Sequence, residues 1–149
     1  MKTSNYFLSV EKTRKLKNEF SLDLRNVCND YELFWQRDDS GNISVVYKVW
    51  DIEKYIPALN AEQLYAILPL DIYTPECGKC TLNVSSDIIN DKEEFIVSYD
   101  MSKDKNYPYV TFSNERLVDA LFDAIEYCYN EKHFQSDAFV NKETEIQTD

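Results

Sequence analysis

The stretch Tyr31-Glu32-Leu33-Phe34-Trp35-Gln36-Arg37-Asp38-Asp39-Ser40-Gly41-Asn42-Ile43-Ser44-Val45-Val46-Tyr47-Lys48-Val49 holds two alternating runs around a turn. Tyr31, Leu33 and Trp35 recur at every second position of the first run, and Ile43, Val45, Tyr47 and Val49 of the second. A period of two is the pleat of a strand. Asp38 to Asn42 supplies turn chemistry, with Gly41 free to take a left-handed backbone, so the two runs read as a β-hairpin. Phe34, Val46 and Trp50 fall on the opposite face, so part of that side is expected to be covered as well.

Downstream, Asn60 is a good helix N-cap, Gln63 completes a capping box, and Leu59 with Leu64 has the spacing of a hydrophobic staple. Pro69 ends that helix after about two turns. Upstream, Ser9 can cap a short helix from Val10 to Glu19. Its apolar positions are sparse and Lys12, Arg14, Lys15 and Lys17 make it basic, which predicts a mostly solvated element. Beyond Pro69, Leu82, Val84, Ile88 and Ile89 mark an irregular strand and Asn90-Asp91-Lys92 a turn. Phe95, Val97 and Tyr99 form a second strand, Ser102 to Asn106 a polar loop, and Tyr107 to Phe112 a third strand. Connections this short exclude parallel crossovers, so the strands should run antiparallel.

Ser113 reads as the cap of the longest helix, from Asn114 to about Lys132, with Phe112 and Leu117 at staple spacing. Leu117, Ala120, Leu121, Ala124, Ile125 and Cys128 recur at three and four residues and give it a core-facing stripe. The expected fold is α+β. Residues 1–134 form a single domain in which the hairpin and the three-strand meander share one antiparallel sheet, with the long C-terminal helix and two short helices packed on it. Residues 135–149 read as a mobile acidic tail.

The 149 residues include eleven Tyr, eight Phe and two Trp, and 44% are hydrophobic, enough to close a core and exclude wholesale disorder. Two glycines, Gly41 and Gly78, are too few and too far apart for a P-loop or a dinucleotide fingerprint, both of which bring backbone N–H groups against phosphate. A single histidine, His133, leaves no room for a His-rich metal site and lies where a solvated helix end is expected rather than a general base. No cofactor is expected. The apolar stretch near the N-terminus is too short for a signal-peptide core, and no run approaches the roughly 20 residues of a membrane helix, so the expected location is the cytoplasm, with no membrane partner.

There Cys28, Cys77, Cys80 and Cys128 are expected as free thiols. Cys77-Gly78-Lys79-Cys80 is a CxxC, whose two sulfurs could share zinc or cycle as a disulfide, and a zinc-stabilised or thiol-active domain is the alternative functional expectation. Zinc needs two further ligands and redox chemistry a following helix, whereas Thr81 to Ser85 reads as strand. Cys77 and Cys80 are therefore weak metal candidates. Asp38 with Asp39, Asp87 with Asp91 and Glu93 with Glu94 sit in predicted turns where acids serve the backbone. No catalytic residue stands out, and the expectation is a protein that is not an enzyme. Trp35, Trp50, Tyr47 and Tyr55 are candidates for a ligand pocket or a partner surface, with core the expectation for most of them.

Sixteen Lys and Arg against 27 Asp and Glu give a net charge of −11. Residues 1–20 hold five basic groups and two acids, and residues 114–149 three and nine. On the predicted long helix Glu115, Asp119, Asp123 and Glu126 fall at offsets of four, four and three, one stripe opposite the apolar face. Offsets of four space carboxylates by about 6 Å, comparable with phosphates along a nucleic-acid strand. The stripe is thus a candidate partner-binding surface that imitates nucleic acid or docks in a basic groove; the same pattern also suits a solvated face of an acidic protein. Direct nucleic-acid binding is disfavoured by the overall charge.

The stretch Trp50-Asp51-Ile52-Glu53-Lys54-Tyr55-Ile56-Pro57-Ala58-Leu59-Asn60-Ala61-Glu62-Gln63-Leu64 resembles a motif of small proteins from Bacteroidetes genomes, prophages and phages, in which a Tyr-Ile-Pro-Ala segment leads into a short helix. The opening Phe7-Leu8-Ser9-Val10-Glu11-Lys12 and the later Leu117-Val118-Asp119-Ala120-Leu121 fit the same layout, whereas the CxxC and the chain beyond Phe134 depart from it. No catalytic residue carries over. The resemblance implies an accessory protein of a mobile element, a class that includes inhibitors of host defence such as anti-CRISPR proteins. Together with the charge it sets the expectation of a non-enzymatic acidic protein that binds a basic host protein, such as a nucleic-acid-binding effector, through the carboxylate stripe or through exposed aromatics.

Overall fold

Tyr31–Arg37 (β1) and Ile43–Val49 (β2) pair antiparallel along their whole length, from Tyr31 against Val49 to Arg37 against Ile43. The Asp38 carboxylate sets the turn by accepting hydrogen bonds from the backbone N–H groups of Ser40 at 2.9 Å and Asn42 at 2.8 Å, while Gly41 takes a φ of +88°. The computed structural model describes residues 6–102 and 107–134. Part of the predicted Ser102–Asn106 loop and the predicted tail 135–149 lie outside the described residues. Those described form two compact units, residues 6–67 and 68–134.

In the first unit Ile56–Pro57 (β3) joins the other edge of β1 to give the order β2-β1-β3. Phe34 is the centre of this unit. It is fully buried, with the rings of Trp50 at 5.7 Å and Tyr55 at 5.9 Å. The opposite face, where alternation is more regular, is largely open: Tyr31, Ile43, Tyr47 and Val49 are exposed. Trp35 on that face is half-buried, edge-on to Phe7, and its indole N–H donates to the Leu8 carbonyl at 3.1 Å.

Ser9 caps Val10–Arg14 (α1), its hydroxyl accepting from the Lys12 N–H at 3.2 Å, and the helix continues as a π-helical turn over Lys15–Glu19. Thr13, Leu16 and the following Phe20 are buried, so this element contributes to the core more than its sparse apolar pattern predicts. A 3-10 turn at Leu24–Val27 leads into β1. The capping box forms as expected at Ala61–Ile67 (α2): Gln63 N–H donates to Asn60 Oδ1 and Asn60 N–H to Gln63 Oε1, both at 2.9 Å, with Leu59 and Leu64 fully buried.

In the second unit Asp71–Thr74 (β4), Gly78–Ile89 (β5), Lys92–Met101 (β6) and Pro108–Asn114 (β7) make an antiparallel sheet in sequence order. Asn90 and Asp91, with φ of 55° and 64°, form the two-residue turn between β5 and β6. Leu117–Asn130 (α3) packs on β6 and β7, placing Leu121, Ile125 and Cys128 in a core with Ile72, Val97 and Tyr99. The Tyr99 hydroxyl donates to the Pro69 carbonyl at 2.7 Å and accepts from the Cys128 thiol at 3.6 Å, so the most deeply buried phenol is satisfied.

Two expectations are corrected. The fold is mixed α+β, but the strands make two sheets rather than one, and the short helices α1 and α2 belong with the smaller sheet. The physical reason lies in β3, which is two residues long and ends on Pro57, whose missing N–H removes the donor that another strand would need there. The long helix also starts at Leu117, not Asn114: Ser113 and Asn114 pair with Ile96 and Phe95 as the end of β7. Asn114 Oδ1 then accepts from the Arg116 N–H at 3.0 Å, and Phe112 packs against Tyr127 at 5.5 Å. Among the described residues no helix is long and apolar enough to cross a membrane.

Candidate functional site

The later helix start dismantles the carboxylate stripe. Glu115 precedes α3 and forms an exposed ion pair with Lys92 at 3.4 Å. Asp119 is buried in the first helical turn and lies 3.3 Å from the Arg116 guanidinium, a position that also favours an acid through the helix dipole. Asp123 and Glu126 are half-buried on the middle of α3. The four groups therefore do not share one solvated helical face.

A different set of carboxylates is presented by the β5–β6 hairpin. β4 pairs with β5 only up to Thr81, and β7 with β6 only from Phe95 onward. Asp87 to Glu94 consequently form a two-stranded ribbon with no third strand of the described residues on either side. Asp87 stands directly opposite Glu94 in the ladder, a like-charge pair that costs about 0.2–1 kcal/mol. Asp91 and Glu93 add to the same end, and among the described residues none of these four carboxylates pairs with a cation. Ile88 lies on the sheet face that carries Leu82 and Val97 in the core, yet it is 72% exposed because the cover has ended. Acidic residues assigned to turns by sequence thus line a projection, and the Asn90-Asp91 turn between Ile89 and Lys92 is the available signal.

The CxxC closes the β4–β5 hairpin and opens no helix. Cys77 is half-buried in the turn; Cys80 is fully buried on β5, where burial and the neighbouring Cys77 push its thiol up. Burial and the nearby Glu32 carboxylate raise Cys28 to about 12, and burial raises Cys128 to about 12 as well. At Cys28, Cys80 and Cys128 these environments disfavour the thiolate that redox or zinc chemistry requires. Among the described residues no three His, Cys, Asp or Glu side chains stand together in a metal-binding group. No family model, curated protein or solved structure matches this chain.

The first unit contains a cleft of about 320 Å³. Arg14 of α1, Arg37 of β1 and Lys54 supply cations; Trp35 and Tyr55 supply rings; Val10, Ile43 and Ile56 supply apolar wall, and no acidic side chain of the described residues lines it. None of the three cations pairs with a carboxylate of the described residues. Arg37 donates one N–H to the Gly41 carbonyl at 2.7 Å, which fixes its guanidinium beside the turn. Gln36 also lines the cleft, and its Oε1 is buried without a hydrogen-bond donor. Of the aromatics singled out by sequence, Trp35 and Tyr55 are therefore brought together, whereas Tyr47 is exposed and stacks on Tyr31 at 5.8 Å, and Trp50 packs on Phe34 under the Arg25 guanidinium. The cations come from positions scattered between 14 and 54 and carry no motif, so no local pattern announces them.

Proposed function

We propose that the protein is a non-enzymatic interaction protein that docks its acidic β5–β6 ribbon into a basic surface of a nucleic-acid-handling partner. The observation that supports this is the opposed Asp87–Glu94 pair on a ribbon that has no third strand among the described residues, where no described cation pairs with either carboxylate and the ribbon's own Lys92 is paired with Glu115, while Ile88 on the opposite face is 72% exposed. A cationic groove relieves the carboxylate repulsion, and a partner that wraps the ribbon also buries Ile88 on its other face. The resemblance of the Trp50 to Leu64 stretch to phage and prophage proteins extends the proposal to an inhibitor of host defence, of the anti-CRISPR kind, that occupies a groove built for phosphate. This replaces the helical stripe with the ribbon as the docking surface.

The test is affinity capture from host lysate with the intact protein and with Asp87→Lys plus Glu94→Lys as parallel baits. The expected result is retention of basic nucleic-acid-binding proteins by the intact protein at low salt, their release as salt rises, and their loss from the double variant. Equal capture by both baits overturns the proposal. A nuclease captured in this way should cleave its substrate more slowly when the intact protein is added, and at its normal rate with the double variant.

A further inference from the structure

We infer that the cleft of the first unit is a binding site for a mononucleotide-sized organic phosphate, independent of the acidic ribbon. A volume of about 320 Å³ lies at the lower end of the roughly 300–1,000 Å³ of small-molecule sites, enough for one nucleotide and too little for a dinucleotide. Arg14, Arg37 and Lys54 meet there with no carboxylate of the described residues in the lining, although the chain as a whole has a net charge of −11. Three cations that no described carboxylate pairs with repel one another, and an anion between them removes that cost. Guanidinium groups present their N–H donors in a planar fork that matches phosphate oxygens, and the lysine adds a mobile point charge.

The walls match the rest of such a ligand. Trp35 and Tyr55 give aromatic surface for a base, and Val10, Ile43 and Ile56 give apolar surface beside it. An inorganic anion would use the cations and leave the rings idle; an uncharged nucleoside would do the reverse. Only a ligand that joins a phosphate to a planar group engages all of these features.

The experiment is calorimetric titration of the full chain with adenosine monophosphate, and separately with adenosine, inorganic phosphate and a short oligothymidylate. The expected result is saturable one-to-one binding of adenosine monophosphate, with adenosine and phosphate each at least about tenfold weaker. Arg14→Gln combined with Lys54→Gln should weaken binding by about tenfold or more while leaving the melting temperature unchanged, since both side chains are exposed and neither makes a hydrogen bond or ion pair that stabilises the fold. Perturbation of Trp35 fluorescence by the ligand should follow the same isotherm. Absence of saturable binding, affinity unchanged in the double variant, phosphate or adenosine binding as well as the nucleotide, or a preference of more than about tenfold for the oligonucleotide would each overturn the assignment.

Discussion

Residues 1–67 and residues 68–135 differ first in charge: the former carry nine basic and ten acidic groups, the latter six and thirteen. They differ also in what the charges do. In the first unit three cations gather around a cleft walled by Trp35 and Tyr55, whereas in the second the acids divide between a buried helix start at Asp119 and the open ribbon from Asp87 to Glu94. A net charge of −11 averages over these arrangements and predicts neither. Like residue types acquire opposite roles according to whether the backbone around them is paired, covered or left at the end of a sheet.

The contrast can be broken at its cores. Phe34→Ala should cost about 3–5 kcal/mol, measured by chemical denaturation, because the ring is fully buried between Trp50 and Tyr55 and its loss leaves a cavity. A cost below about 1 kcal/mol would show that the hairpin face holding Phe34 is not the centre of the first unit. Next in size is the difference between two acids. Asp119→Asn should destabilise by about 1–3 kcal/mol through loss of its partly buried pair with Arg116, whereas Asp87→Asn should stay within about 0.5 kcal/mol of the parent or gain slightly. Equal effects would erase the distinction between structural and surface carboxylates.

Asn60→Ala should cost about 1 kcal/mol, since it removes the acceptor of the Gln63 N–H at the start of α2. The smallest expected effect is a pH dependence in the second unit. Burial lowers the His133 pKa, against the opposing pull of Glu131, in a side chain packed 5.8 Å from Tyr127. A folded pKa below the unfolded value means that the neutral imidazole fits the fold, so the contribution is present above the ordinary histidine range and is lost as pH falls through the folded pKa. Stability should decline across that window, and His133→Gln should flatten this component of the profile.

Local signals were legible wherever a few neighbouring residues complete the interaction. The β1–β2 hairpin has the bounds that alternation and the Asp38 to Asn42 turn imply, and the Asn60–Gln63 capping box forms as its spacing demands. Ser113 can cap α3 only if Ile96 does not claim it as a strand partner, and that competition is invisible in a local window. β4 was missed since Asp71 to Thr74 is four residues long and becomes a strand through pairing with β5. The cleft was least legible of all: Trp35 and Tyr55 were noticed as aromatics, but the cations beside them derive from separate elements.

The sequence by itself determined the mixed α+β class, the antiparallel sense of the strands, the capped short helix and the apolar stripe of the long one. Each of these follows from side-chain periodicity and turn chemistry over a dozen residues or fewer, where the covalent chain already sets which groups can meet. Only the tertiary structure decided that there are two sheets, that Asp119 is buried while Asp87 is not, and that three cations and two rings face one cleft. Those outcomes depend on which strand edges find partners and where the cover of a sheet ends, and long-range pairing is not encoded in any local period.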